Sequence, residues 1–183
     1  MDLTQQDDRS LIDLSLEGSD AAFRILVERY EQQVAGTVIG MLGSGDDADD
    51  VGQEVFIRFY RSLNRFRNES GLGTYLTRIA INLSLNEIKR QKRISSRIIN
   101  DATQLPLEDK SGEDKEQAND TKEVVHKALQ QLEPKFRSVV ILRMLHGYST
   151  KETASILKLP SGTILSRLSR AQEKLKVILK ELM

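Results

Sequence analysis

Residues 147–182 read GYSTKETASILKLPSGTILSRLSRAQEKLKVILKEL, and this stretch decides the fold. Ser149, followed three positions on by Glu152, has the spacing of a capping box, so a helix is expected from Thr150 to Leu157. Lys158, Leu159 and Pro160 then make a turn, and a long helix begins after Ser161. Along it Ile164, Leu168, Ala171, Leu175, Leu179 and Leu182 recur at helical spacing as one apolar stripe, while Ser166 and Arg170 fall near the opposite side. A short helix, a tight turn and a long helix with a polar outer face form the helix-turn-helix pattern. In that pattern the second helix enters the major groove of DNA.

Working outward, Asp120 with Glu123 at capping-box spacing, and Pro134 at a first helical position, mark two further helix starts. Upstream of them, residues 100–121 (NDATQLPLEDKSGEDKEQANDT) carry excess acid and no helical or strand period, and read as a linker. On its other side Ser19 or Asp20 caps a helix whose apolar residues Phe23, Leu26, Val27, Tyr30, Val34, Val38 and Leu42 share one face, and which Gly43-Ser44-Gly45 ends. A second helix runs from Asp46 or Asp47 to about Leu63, a polar loop with Arg65 and Arg67 follows, and a third helix runs from about Thr74 to Arg93. A short amphipathic helix near Arg9 to Leu16 precedes them. The expected architecture is all-α: two small helical domains, residues 1–95 and 122–183, joined by a flexible acidic linker over 96–121.

Composition agrees. The 183 residues are 39% apolar and 30% charged, enough for one domain or two small ones. Aromatics are only 5% and Trp is absent, which favours helices over a β-sandwich. The absence of Cys excludes disulfides, thiolate zinc sites and thiol nucleophiles. The longest apolar run is Val139 to Leu142, far short of the roughly 20 residues a membrane span needs. The acidic first 30 residues lack the pattern of an export signal, so a cytoplasmic protein without membrane insertion is expected. The net charge of zero averages blocks of opposite sign. Residues 1–56 hold 3 basic and 13 acidic groups, 57–100 hold 10 and 2, 101–121 hold 2 and 7, and 122–183 hold 12 and 5. Two basic segments parted by an acidic one point to two places that meet a polyanion.

Two multi-part motifs carry a family resemblance. The run Asp47 to Phe56 (DADDVGQEVF), then Arg65-Phe66-Arg67 and Thr74 to Asn82 (TYLTRIAIN), is similar to region 2 of the extracytoplasmic-function sigma factors of bacterial RNA polymerase. Leu132-Glu133-Pro134, Arg137, Gly147-Tyr148-Ser149 and Pro160 to Ala171 (PSGTILSRLSRA) are similar to region 4 of that family. Tyr75 stands where the family usually has Trp, and Leu165 where a basic or polar residue is common. The resemblance implies a non-enzymatic subunit, without cofactor or metal, that directs promoter-specific initiation. Its implied partners are core polymerase, promoter DNA and an anti-sigma factor. Asp50, Gln53, Glu54 and Arg61 would meet the clamp helices of the largest polymerase subunit, and region 4 would meet the flap. Arg65, Arg67, Tyr75, Arg78, Asn82, Lys89 and Arg90 would serve the minus-10 element. Ser161, Thr163, Leu165, Ser166, Arg167 and Arg170 would serve the minus-35 element.

Residue chemistry gives these roles content. Asp50, Gln53, Glu54 and Arg61 share one helix face and suit a basic helical partner. The amide of Asn82 offers donor and acceptor to an extruded base, and the arginines offer charge to strand phosphates. Phe66 and Tyr75 either stack on bases or fill the core. Arg170, opposite the stripe, suits a bidentate guanine contact, Arg167 a phosphate contact, and Leu165 either a thymine methyl or, preferentially, the core. His126 and His146 stand apart from each other and from the acidic cluster, and no function is assigned to them. Two other readings compete. A helix-turn-helix regulator independent of polymerase would bind duplex DNA alone, which leaves the first motif without a role. A metal-dependent nuclease built on Asp46, Asp47, Asp49 and Asp50 would lack a second acidic cluster, a His and a substrate-gripping loop.

Overall fold

Most helices begin where a side chain or a proline can serve the first turn, whose backbone N–H groups have no helical partner. In the computed structural model, which describes residues 3–67, 69–101 and 120–182, Asp7 accepts from the Ser10 amide at 2.7 Å and opens α1 (Asp8–Leu16). That bond holds the Asp7 carboxyl below the usual carboxylate range. Ser19 caps α2 (Asp20–Leu42) by accepting from Ala22. No side chain caps α3 (Asp46–Ser62), but Asp46, Asp47 and Asp49 in its first turn face the positive end of the helix dipole. After α4 (Leu72–Asp101) and α5 (Asp120–Gln131), Pro134 opens α6 (Pro134–Val140). The expected box at the start of α7 (Thr150–Leu157) is present: Ser149 accepts from the Glu152 amide, and the Glu152 carboxylate accepts from Ser149. Each such cap contributes about 1 kcal/mol. The last helix, α8, spans Ser161–Leu182, and no strand occurs among the described residues.

Helices α1 to α4 enclose a core of Leu11, Leu26, Val34, Val38, Val55, Phe59, Leu76 and Ala80, all essentially without exposure. Asp8 ties α1 to α2 by accepting from Arg29 and from the Tyr30 hydroxyl. Helices α5, α6 and α8 enclose Leu129, Leu132, Phe136, Val140 and Ala171. A third cluster joins the two units: Met41 and Ile81 from the first pack against Ile141, Leu142 and Ile156 from the second. Burying one such side chain contributes about 1.5–3 kcal/mol, so the units adhere substantially.

Two expectations change. The third helix of the first unit does not stop at Arg93 but continues to Asp101. Nothing in residues 94–101 breaks a helix, and Ser95 and Ser96 turn their hydroxyls back onto the carbonyls of Gln91 and Lys92 instead of leaving the ladder. Asp120 is the first residue within α5, not the cap outside it. The rest of the expected linker, 102–119, lies outside the described residues.

Candidate nucleic-acid interface

Three exposed surfaces carry the residues singled out in the sequence. On α3, Asp50, Gln53 and Arg61 are exposed, and partly buried Glu54 accepts from Arg58 at 2.8 Å. Sequence reasoning missed the apolar component of this face. Ile57, three residues from Glu54 and four from Arg61, is 43% exposed, and Tyr60 is 50% exposed with its ring edge-on to Phe23. An exposed Ile between charged neighbours is the readable signal, because interfaces are anchored by central apolar side chains ringed by polar ones.

The second surface runs along α4 and the loop before it. Arg65, Arg67, Asn82 and Lys89 are exposed. Arg67 and Phe66 border a hollow with Arg9, Ile12 and Asp13 of α1, an extension of this surface not foreseen from sequence. Tyr75 faces inward: its ring packs edge-on against Phe66 and Phe59, and its hydroxyl lies 3.0 Å from Ser62 Oγ. Arg90 is held by Glu87 at 2.7 Å and by Asp47 at 3.4 Å, and the pairing with Glu87 raises its pKa while lowering that of Glu87. Arg78 is partly buried and reaches Ser155 of α7 at 3.4 Å, and its Nε is buried without a partner.

The third surface is the start of α8. Lys158 adopts the left-handed conformation (φ 54°) that makes the turn after α7. Beyond it Ser161, Leu165, Ser166 and Arg170 are exposed, and Thr163 and Arg167 are partly exposed. Leu165 does not extend the core. It is 55% exposed, because its neighbour Ile164, without exposure, takes the inward position. Two other features bear on the competing readings. Asp47, central to the acidic cluster, is engaged by Arg90 and by Gln91 at 2.9 Å, and no three His, Asp or Glu among the described residues are grouped to hold a metal. No helix among them is long and apolar enough to cross a membrane.

A helix-turn-helix unit joined to a helical unit with a polar docking face and a basic helix is the layout of a promoter-recognition subunit, and comparison supplies the family. Residues 26–94 match Sigma-70 region 2 and residues 122–175 match Sigma-70, region 4. The RNA polymerase sigma-H factor of Pseudomonas aeruginosa is 33% identical, covering 99% of this chain and 98% of its own length. The ECF RNA polymerase sigma-E factor of Escherichia coli is 35% identical over 92% of each chain. Among solved structures, the sigma factor RpoE of Bartonella quintana, in complex with the anti-sigma factor NepR, is 26% identical. It covers 86% of this chain and 96% of its own, with a TM-score of 0.66. The chain belongs to the extracytoplasmic-function group of the sigma-70 family. It is an alternative sigma factor, which associates with core RNA polymerase and directs promoter-specific transcription initiation.

Proposed function

We propose that this sigma factor divides its work among the three surfaces. The α3 face, with Asp50, Gln53, Glu54 and Arg61 around Ile57, docks on the clamp helices of the largest polymerase subunit. The α4 surface captures the minus-10 non-template strand, with Asn82 reading an extruded base and Arg65, Arg67, Arg78 and Lys89 holding phosphates. Arg90, paired to two carboxylates, adds a phosphate contact only after releasing Asp47. Tyr75 and Phe66 position the loop that carries Arg65 and Arg67, and Tyr75 reaches the strand through that loop. The start of α8 reads the minus-35 duplex through Arg170, Ser166, Ser161 and Thr163, with Arg167 on a phosphate and Leu165 against a thymine methyl. The second unit also meets the polymerase flap. Residues 1–95 and 122–183 are thus the two working domains.

The observation that carries this reading is the exposure of all three residue sets on separate faces, since buried groups could reach neither polymerase nor DNA. The protein acts in the cytoplasm, performs no covalent chemistry itself, and is held in check by an anti-sigma factor, as its Bartonella relative is seen bound to one. Run-off transcription with core polymerase and a promoter library tests the whole. Transcripts are expected only when sigma and core are both present. Tight sequence-specific duplex binding by the chain alone, with no transcripts, would instead identify a polymerase-independent regulator.

A further inference from the structure

The two units are fastened to each other by more than the shared apolar cluster. Thr37 donates its hydroxyl proton to the Gln33 carbonyl, so its oxygen is free to accept from Nε2 of His146 at 2.8 Å. Tyr148 donates to Thr77 of α4 at 3.2 Å and accepts from Gln33, and Arg137 donates to the carbonyl of Met41. At the centre, α2 comes so close to Ile141 that only a glycine fits. A Cβ placed on Gly40 would lie 3.0 Å from Ile141 Cδ1 and 3.3 Å from its Cγ1, and would meet nothing else within 4 Å.

This arrangement fixes how far apart the two DNA-reading helices can be. Arg78 of α4 touches Ser155, and only six residues of chain lead from Ser155 to Ser161 at the start of α8. Six residues span at most about 21 Å even when extended. The minus-10 and minus-35 elements lie about 25 base pairs apart, or about 85 Å of duplex. We infer that the closed arrangement is a latched, promoter-inactive state of the sigma factor, and that its two units must separate before both elements can be engaged. This rests on the assignment of α4 and α8 to the two elements.

The absence of native cysteine allows a clean lock. With cysteines at both positions (Gly40→Cys with Ile141→Cys), the Sγ at 141 takes the place of Cγ1 and lies within disulfide reach of the new Cβ at 40. The oxidised full-length chain is expected to lose run-off transcription by about tenfold or more, and reduction to restore it, which also controls for folding. A second variant acts in the opposite direction. Gly40→Leu has only Ile141 to displace and favours its own helix, so the free chain should expand in small-angle scattering relative to wild type. Failure of the cysteines to cross-link, or a cross-linked chain that transcribes as well as the reduced one, would overturn the latch. Failure of the surface assignment looks different: the reduced chain transcribes, but Asn82→Ala and Arg170→Ala leave promoter opening and selection unchanged.

Discussion

Replacing Arg137 by Met tests how firmly the second unit holds the end of α2. The side chain is 7% exposed and has no carboxylate partner. Its guanidinium instead donates to the Gln130 carbonyl at 2.6 Å, the Gln130 side-chain oxygen at 2.7 Å, the Leu132 carbonyl at 2.9 Å and the Met41 carbonyl. Met41 lies in the last turn of α2, where carbonyls lack helical donors and the helix dipole is negative, so a cation is well placed. Gln130 supports the same turn by donating to Gly40 at 3.2 Å. Methionine fills similar space and donates nothing. The buried carbonyls of Met41 and Leu132 each lose a donor at about 1–3 kcal/mol. Relief from burying the charge, which already draws the Arg137 pKa down, returns part of that. A net loss of about 3 kcal/mol follows, which for a chain of this size lowers Tm by about 6–12 °C. Thermal unfolding followed by circular dichroism measures it. In a Gly40→Leu background the Met41 contact is already broken, so the loss should shrink by on the order of 1 kcal/mol. A Tm drop under about 2 °C, or strict additivity in the double variant, would refute the reasoning.

Reversing Asp50 and Glu54 to Lys should weaken association with core polymerase by about 2 kcal/mol or more in a fluorescence titration, with a loss below about 0.5 kcal/mol identifying a merely solvated face. Asn82→Ala should spare core binding yet reduce permanganate reactivity of the minus-10 region; unchanged opening would make Asn82 a plain helix-surface residue. Arg170→Ala should cost about 1–3 kcal/mol and relax preference at one minus-35 base pair, while Arg167→Ala weakens all sequences alike, as systematic base substitution would read. Acid should loosen the closed form. Burial lowers the His146 pKa in that form below the ordinary 6.5, so the contribution is complete above about pH 6.5 and fades as pH falls through the lowered value. Lys122 and His126 line the same cavity, and the Tyr148 ring lies 6.0 Å away. Scattering from pH 8 to 5.5 should show expansion that His146→Gln abolishes and His126→Gln does not.

The parts of the molecule legible in sequence were those governed by neighbours along the chain. Ser19, Pro134 and the Ser149–Glu152 pair mark helix starts because a cap acts within three residues, and the helix-turn-helix follows from spacing alone. The turn at Lys158 was also placed, although its left-handed residue is not a glycine. What escaped depends on distant partners. Gly40 reads as a weak point inside a helix until Ile141, a hundred residues on, is seen against it. Leu165 sits on the flank of the apolar stripe, where a change of a few tens of degrees decides between core and solvent, and Ile164 took the inward place. Ile57 looked like one more apolar residue of an amphipathic helix, yet Val55 and Phe59 are the ones buried.

The passage from α6 towards the recognition unit contains one wide turn. From Ile141 to Leu145 the chain forms a π-helical turn, in which the His146 amide bonds to the Ile141 carbonyl at 3.0 Å, five residues back. Such a turn holds one residue more than an α-helical turn, and each residue advances the helix by about 100°. The extra residue therefore sets the phase of everything after it: His146 comes round to Thr37 and Tyr148 to Gln33, while Met144 and Leu145 are left 53% exposed. Deleting any one residue between 141 and 145 would let the helix close into regular form and rotate the chain beyond it by about 100°. Both units would keep their cores, but α8 would aim its polar face elsewhere. The number of residues in this segment, more than their identity, is what natural variation at this point has to respect.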